Sequence, residues 1–324
     1  MSVKVWSSVM LFLAGLMGMA LVGATVFISV DGGEESEDAV QPDAPQDTNI
    51  SGFIASGTLA DEVISGSDGA DQINGYGGAD TIDGGSGYDA LHGWTGDDEL
   101  QGGAGEDTLH GEDGADLLLG EEDADALYGH NGHDTLVGGL GNDMLHGSAD
   151  DDLLLGEDGD DALHGGLDDD TLVGGAGEDT LFGGWGDDLL DGREDGVAEQ
   201  DFLNGGGGAD NLVAGGEDIV TTGMGADNVF IGDWIMPGEE AQVHDFDPLE
   251  DRLIIVFDDQ ANASEPEITV ARDGLDPDVS HILMNGEMIV AVHSELSMSI
   301  NDLMIMTQSD AALFFGIGET ATAA

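Results

Sequence analysis

Cysteine is absent from the 324 residues, so disulfides, thiolate metal sites and cysteine nucleophiles are all excluded. Basic residues are nearly absent as well. Lys4, Arg193, Arg252 and Arg272 are the only four, against 70 Asp and Glu, and the formal net charge is −66. Four cations cannot neutralise a row of phosphates, which excludes nucleic acid as a partner. Nor can they hold the chain to an anionic membrane surface by charge. Aromatics make up 5 % of the chain, and acidity with so few of them is usually the composition of a disordered protein. Hydrophobic residues nevertheless reach 40 %, and they are periodic. The residue in excess is glycine, 55 in all, without any collagen triplet. A chain this acidic needs a cation from outside, and a metal ion is the simplest.

The N-terminus is a separate object. From Val5 to Val30 there are 26 residues without a charge, preceded by Lys4 and followed by Asp31. As a helix at ~1.5 Å per residue this segment is long enough to cross a ~30 Å hydrocarbon core. The charge bias places the N-terminus in the cytoplasm and everything after Val30 outside. The alternative is a cleaved signal peptide ending at Val22-Gly23-Ala24, but the apolar run continues past Ala24. The reading adopted is a retained single-span membrane anchor over 1–30, and either version makes the rest extracytoplasmic, anchored or secreted. Residues 31–50 are acidic, proline-dotted and aperiodic, and form a solvated linker.

From Gly66 to Asp191 the chain is a repeat of 14 × 9 residues without insertion or deletion. Counted from its first residue, each unit has Gly at position 1, Asp at position 6 and Ile or Leu at position 8. Position 4 is Gly in 11 units and Asp in three, Asp123, Asp150 and Asp168. Around position 8 one apolar residue is flanked by two outward ones, which predicts a strand of three residues with one buried face. The other six residues, rich in Gly and Asp, predict a turn. So short a strand cannot bury its Leu alone, so units must stack. Two units make one turn of a right-handed coil, with alternate strands in two parallel sheets and the Leu rows facing each other. Stacking also aligns the Asp of every second unit, 18 residues apart, along one edge. Such a ladder repels itself unless a hard divalent cation neutralises it. Calcium, which takes six to eight oxygens, suits Gly-rich turns offering carbonyls beside carboxylates better than magnesium or zinc does.

Units such as Gly102-Gly103-Ala104-Gly105-Glu106-Asp107-Thr108-Leu109-His110 and Gly174-Gly175-Ala176-Gly177-Glu178-Asp179-Thr180-Leu181-Phe182 resemble the nonapeptide of the RTX (repeats-in-toxin) proteins. The resemblance covers roughly residues 57–230. It implies an all-β parallel β-roll, multiple calcium ions between turns, and folding outside the cell. The ligands it implies are Asp71, Asp80, Asp89, Asp98, Asp107, Asp116, Asp125, Asp134, Asp143, Asp152, Asp161, Asp170, Asp179 and Asp188. Asp210 and Asp227, in two further units beyond a four-residue insertion at Gly192–Gln200, join them. Position 2 departs from Gly at Trp94, Glu112, Glu121, His130 and Glu157, which should weaken the turn there. Gly57–Ser65, with Glu62 for Asp, reads as an N-terminal capping unit.

Positions 7 and 9 set up two lateral faces. One carries a row of His92, His110, Tyr128, His146, His164 and Phe182. The other carries Leu117, Leu119, Val137, Leu153, Leu155, Val173 and Leu189, an apolar strip that suits self-association. The roll is assigned to 51–231. Residues 232–324 form a small C-terminal β region capping its open end, with strands at Arg252–Phe257, Glu267–Val270 and Leu303–Met306. Asn285-Gly286 between two apolar runs predicts a hairpin. No H-E-x-x-H, G-x-S-x-G or Walker loop occurs, and identical carboxylates do not make an acid/base pair. The chain therefore reads as no enzyme but a calcium-folded module with a structural or surface-interaction role. The alternatives are an enzyme with its active site in 232–324, or a secreted adhesive or ice-binding surface.

Overall fold

The structure, a computed structural model, describes residues 52–194, 199–257, 266–294, 296 and 298–315. The Val5–Val30 segment and the 31–50 linker lie outside these. Among the described residues no helix is long and apolar enough to cross a membrane.

The chain winds as a β-solenoid in which successive strands alternate between two sheets. One sheet has 14 strands and the other 12. Through the regular repeat, neighbours within each sheet are parallel and 18 residues apart, as in Thr135↔Leu153 and Leu145↔Leu163. The position-8 residues, from Ile73 and Ile82 to Leu190, face each other between the sheets and are at most 2 % exposed. That is the two-sheet coil expected from the nonapeptide.

The strands are longer than the three residues expected. A unit such as Thr108–Asp113 runs from position 7 through position 3 of the next unit, six residues in all. Only positions 4 to 6 are left for the turn. The pairing register passes over position 1, as in Val137↔Leu155 followed by Gly139↔Glu157. Position 2 takes positive φ inside the strand, for example Gly103 at 111° and Gly139 at 112°. This reverses the local twist while keeping the backbone paired across rungs. The turns are stacked too: Gly87 N–H donates to the Ala104 carbonyl (2.8 Å), and Ala90 N–H to that of Asp71 (2.9 Å). Backbone hydrogen bonds therefore run right round the coil.

The boundary at residue 232 is not a break in the sheets. Arg252–Phe257 pairs parallel with Asn228–Gly232, and Leu303–Thr307 pairs with Arg252–Phe257. Ala241–His244 and Glu287–His293 continue the other sheet. The hairpin Val279–Met284 to Glu287–His293 is antiparallel, with Asn285 and Gly286 at φ 55° and 92°. At this end the outer face of the 12-stranded sheet carries a second apolar cluster, Val213, Phe230, Ile254, Val256 and Ala311. Ala311 belongs to the helix Gln308–Phe315. The apolar strip reaches this cluster through Leu189. Its seven residues lie in register and are all half-buried.

Candidate metal centre

Each turn ends on its position-6 Asp, and the stacking ties one oxygen of that side chain to a backbone N–H of the preceding rung. The Asp116 N–H donates to Asp134 Oδ1 (2.8 Å), Asp134 N–H to Asp152 Oδ1 (2.8 Å), and Asp152 N–H to Asp170 Oδ1 (2.9 Å). The same bond links Asp71 to Asp89, Asp125 to Asp143, and the pairs between and beyond. Where the insertion intervenes the step is 22 residues, and Asp188 N–H reaches Asp210 Oδ1 (2.9 Å). Asp210 N–H donates in turn to Asp227 Oδ1 (2.9 Å).

The second oxygen of these side chains has no partner. Oδ2 of Asp80, Asp89, Asp98, Asp107, Asp116 and Asp125 is buried and unbonded. So is that of Asp134, Asp143, Asp152, Asp161, Asp170, Asp179, Asp188, Asp210 and Asp227. All but Asp227, whose unit opens on Thr222, point into space kept open by a position-1 glycine. A Cβ on Gly129 would sit 2.3 Å from Asp134 Oδ2 and 3.0 Å from the Gly147 carbonyl oxygen. Gly147 repeats this with Asp152 Oδ2 (2.3 Å) and the Gly165 carbonyl (2.9 Å). The position-1 glycine thus leaves a cradle lined by a carboxylate oxygen and a carbonyl of the adjacent rung. These are hard oxygen donors, as calcium requires. An unbonded buried carboxylate oxygen is otherwise costly.

The electrostatics agree. Burial pushes the Asp116, Asp125, Asp152 and Asp161 carboxyls up to about 7 and Asp170 to about 8. The bond from the preceding rung opposes this, and neighbouring carboxylates add to the rise. With no positive charge beside them, these groups resist ionising in the folded protein.

Asp71 differs. Its Oδ2 accepts from Ser67 N–H (2.6 Å) and its Oδ1 from Phe53 N–H, so the terminal turn offers no free oxygen. Glu62 folds back on its own unit to accept from Thr58 N–H (2.9 Å). The position-4 residues Asp123, Asp150 and Asp168 are exposed at φ 75°, 72° and 71°. Trp94, Glu112, Glu121, His130 and Glu157 also take positive φ, at 76–84°, so the corner inside the strand survives there under strain. Tyr76 and Ser148 join them at 75° and 100°.

Three further carboxylates belong to the ladder although the nonapeptide does not mark them, the last being Asp251, whose Oδ1 accepts from Asp227 N–H (3.1 Å). Asp201 Oδ1 accepts from Asp179 N–H (2.8 Å), and Asp218 Oδ1 from Asp201 N–H (3.1 Å). Asp201 and Asp218 stand at other spacings from their glycines than the nonapeptide has, Gly192 before Asp201 and Gly215 and Gly216 before Asp218. The signal they retain is an Asp two residues before a buried aliphatic, Leu203 and Val220. The aromatic row is stacked only at its start, His92 on His110 at 4.6 Å and His110 on Tyr128 at 4.7 Å; Tyr128 and His146 are tilted at 6.4 Å, and His146 meets His164 edge-on at 4.5 Å. Burial, then His92 and His130, lower the His110 pKa to about 4. His133 at position 5 bonds Asp151 N–H through Nδ1 (3.1 Å), the role Asp97 plays for Ala115 N–H.

The pattern of the RTX calcium-binding nonapeptide repeat matches overlapping stretches that run together from residue 56 to residue 229. Among solved structures, the chain is similar to the solution structure of a subunit of the Azotobacter vinelandii mannuronan C5-epimerase. Identity is 23 %, with 52 % of this chain and 85 % of that one covered and a TM-score of 0.26. No curated protein matches the chain.

Proposed function

The chain belongs to the family of RTX calcium-binding nonapeptide-repeat proteins, and from that premise we propose that its calcium-binding β-roll works outside the cytoplasmic membrane as a structural or surface-interaction module. The observation that carries the reading is the row of buried, unbonded Asp Oδ2 atoms, which face glycine cradles from Asp80 to Asp188 and at Asp210. In this reading those oxygens, on Asp80 through Asp188 and on Asp210 and Asp227, are the carboxylate ligands. Asp71, with both oxygens engaged, binds weakly at the frayed end.

Extracellular calcium modules work at ~10⁻⁴–10⁻³ M, a level the cytosol does not reach, so the chain folds after export. The uncharged Val5–Val30 segment between Lys4 and Asp31 supports both export and anchoring. The half-buried strip at Leu117, Leu153 and Leu155 supports pairing with a second copy, since a flat strip is self-complementary under two-fold symmetry. External protease on intact cells tests the display. In millimolar calcium a resistant repeat core should remain, and added chelator should expose it to digestion. Digestion only after lysis would overturn the extracytoplasmic reading.

A further inference from the structure

The repeat register breaks after Asp191, and three carboxylates meet at the break. One oxygen each from Glu194, Asp201 and Asp218 lies within 4.8 Å of the others. Asp201 is fully buried and its Oδ2 has no hydrogen-bond partner. Glu194 Oε1 is likewise buried and unpartnered. Asp218, also fully buried, is held by N–H donors from Asp201 (3.1 Å) and Gly215 (2.6 Å). Gly192 leaves room between them: a Cβ there would lie 2.8 Å from Asp201 Oδ2, 2.8 Å from Leu203 Cδ1 and 3.1 Å from Asp218 Oδ2. Arg193 beside the cluster is turned to Asp191, with Nε on Oδ1 (2.8 Å) and Nη2 on Oδ2 (2.6 Å).

We propose that Glu194, Asp201 and Asp218 form a divalent-cation site of a different kind from the repeat sites, one that holds calcium with three carboxylates and retains it most tightly. Each repeat cradle presents an Asp oxygen and a backbone carbonyl, whereas this site adds a carboxylate brought by the four-residue insertion. Affinity in oxygen-ligand calcium sites rises with ligand charge and rigidity. Two of these three side chains are fixed in fully buried rungs. Burial and the neighbouring acids push Glu194 up to about 7, Asp218 to about 8 and Asp201 to about 9. The insertion is thus a device for an added ligand rather than a flaw in the repeat.

The proposal rests on the roll binding calcium, and its test separates the two claims. Full-length chain in detergent is loaded with millimolar calcium, dialysed to ~10⁻⁵ M free calcium, and the retained metal is counted. Wild type should keep one ion per chain and Glu194→Gln none. Asp107→Asn, which removes a repeat carboxylate, should keep the ion. Circular dichroism in millimolar calcium should show both variants folded. Equal retention by wild type and Glu194→Gln, whether one ion or none, overturns the three-carboxylate site and leaves the repeat sites standing. A wild type that takes up no calcium even at millimolar concentration overturns both claims.

Discussion

Asp143 and Asp71 hold the same position of the same repeat, yet their surroundings differ. Asp143 Oδ2 is buried and unbonded, while both Asp71 oxygens already accept backbone N–H groups. Asp143→Ala should therefore raise the calcium midpoint of folding several-fold and blunt its cooperativity, because it empties a cradle with rungs on both sides. Asp71→Ala should shift it little. Equal midpoints in a calcium titration would contradict the cradle assignment. The repeat Asp were legible because position 6 never varies across the 14 units. Asp201, Asp218 and Glu194 were not, because the insertion and the shortened unit after it put each Asp out of register with the glycines before it, and Glu194 matches no position of the nonapeptide. The strain at position 2 was half legible: substitution of Gly was visible, but not that Glu121 and Trp94 would keep φ at 84° and 80°.

A strand here is one rung of a ladder, and its two faces carry different energies. Leu136 is fully buried between the sheets, whereas Leu155 lies half-buried on the outer strip. Leu136→Ala should cost about 2–5 kcal/mol, read as a higher calcium requirement and a lower Tm. Replacing Leu117, Leu153 and Leu155 together by Ser should leave calcium-induced folding in place and convert a self-associated protein to a monomer in sedimentation. Loss of folding in the triple variant would show that the strip belongs to the core. Strand existence, sheet assignment and the facing Leu rows followed from the nine-residue period alone. Strand length did not, because residue type marks positions 1 and 2 as turn formers. Their glycines instead carry the strand round a corner while the backbone stays paired. The hairpin at Asn285-Gly286 was legible for the converse reason, since both residues adopt the positive φ that favours them.

For the whole molecule the governing quantity is charge, −66 with four basic residues. In the metal-free roll burial raises the carboxyls of Asp107, Asp116 and Asp170 from 3.8 to about 6, 7 and 8. Folding without metal therefore takes up protons. The stabilisation this gives is complete below pH ~4 and is lost as the pH rises through 6 to 8. In excess chelator the chain should accordingly show more β-structure at pH 5 than at pH 8, and a spectrum flat across that range would contradict the burial of these acids. Calcium should reverse the dependence, since it binds the ionised form. The most direct test of the account is a calcium titration at pH 8, followed by far-ultraviolet circular dichroism on the full-length chain. The account predicts a largely unstructured spectrum in chelator and a cooperative gain of β-structure as calcium approaches ~10⁻⁴–10⁻³ M. A β-rich spectrum that persists unchanged in excess chelator at that pH would contradict it.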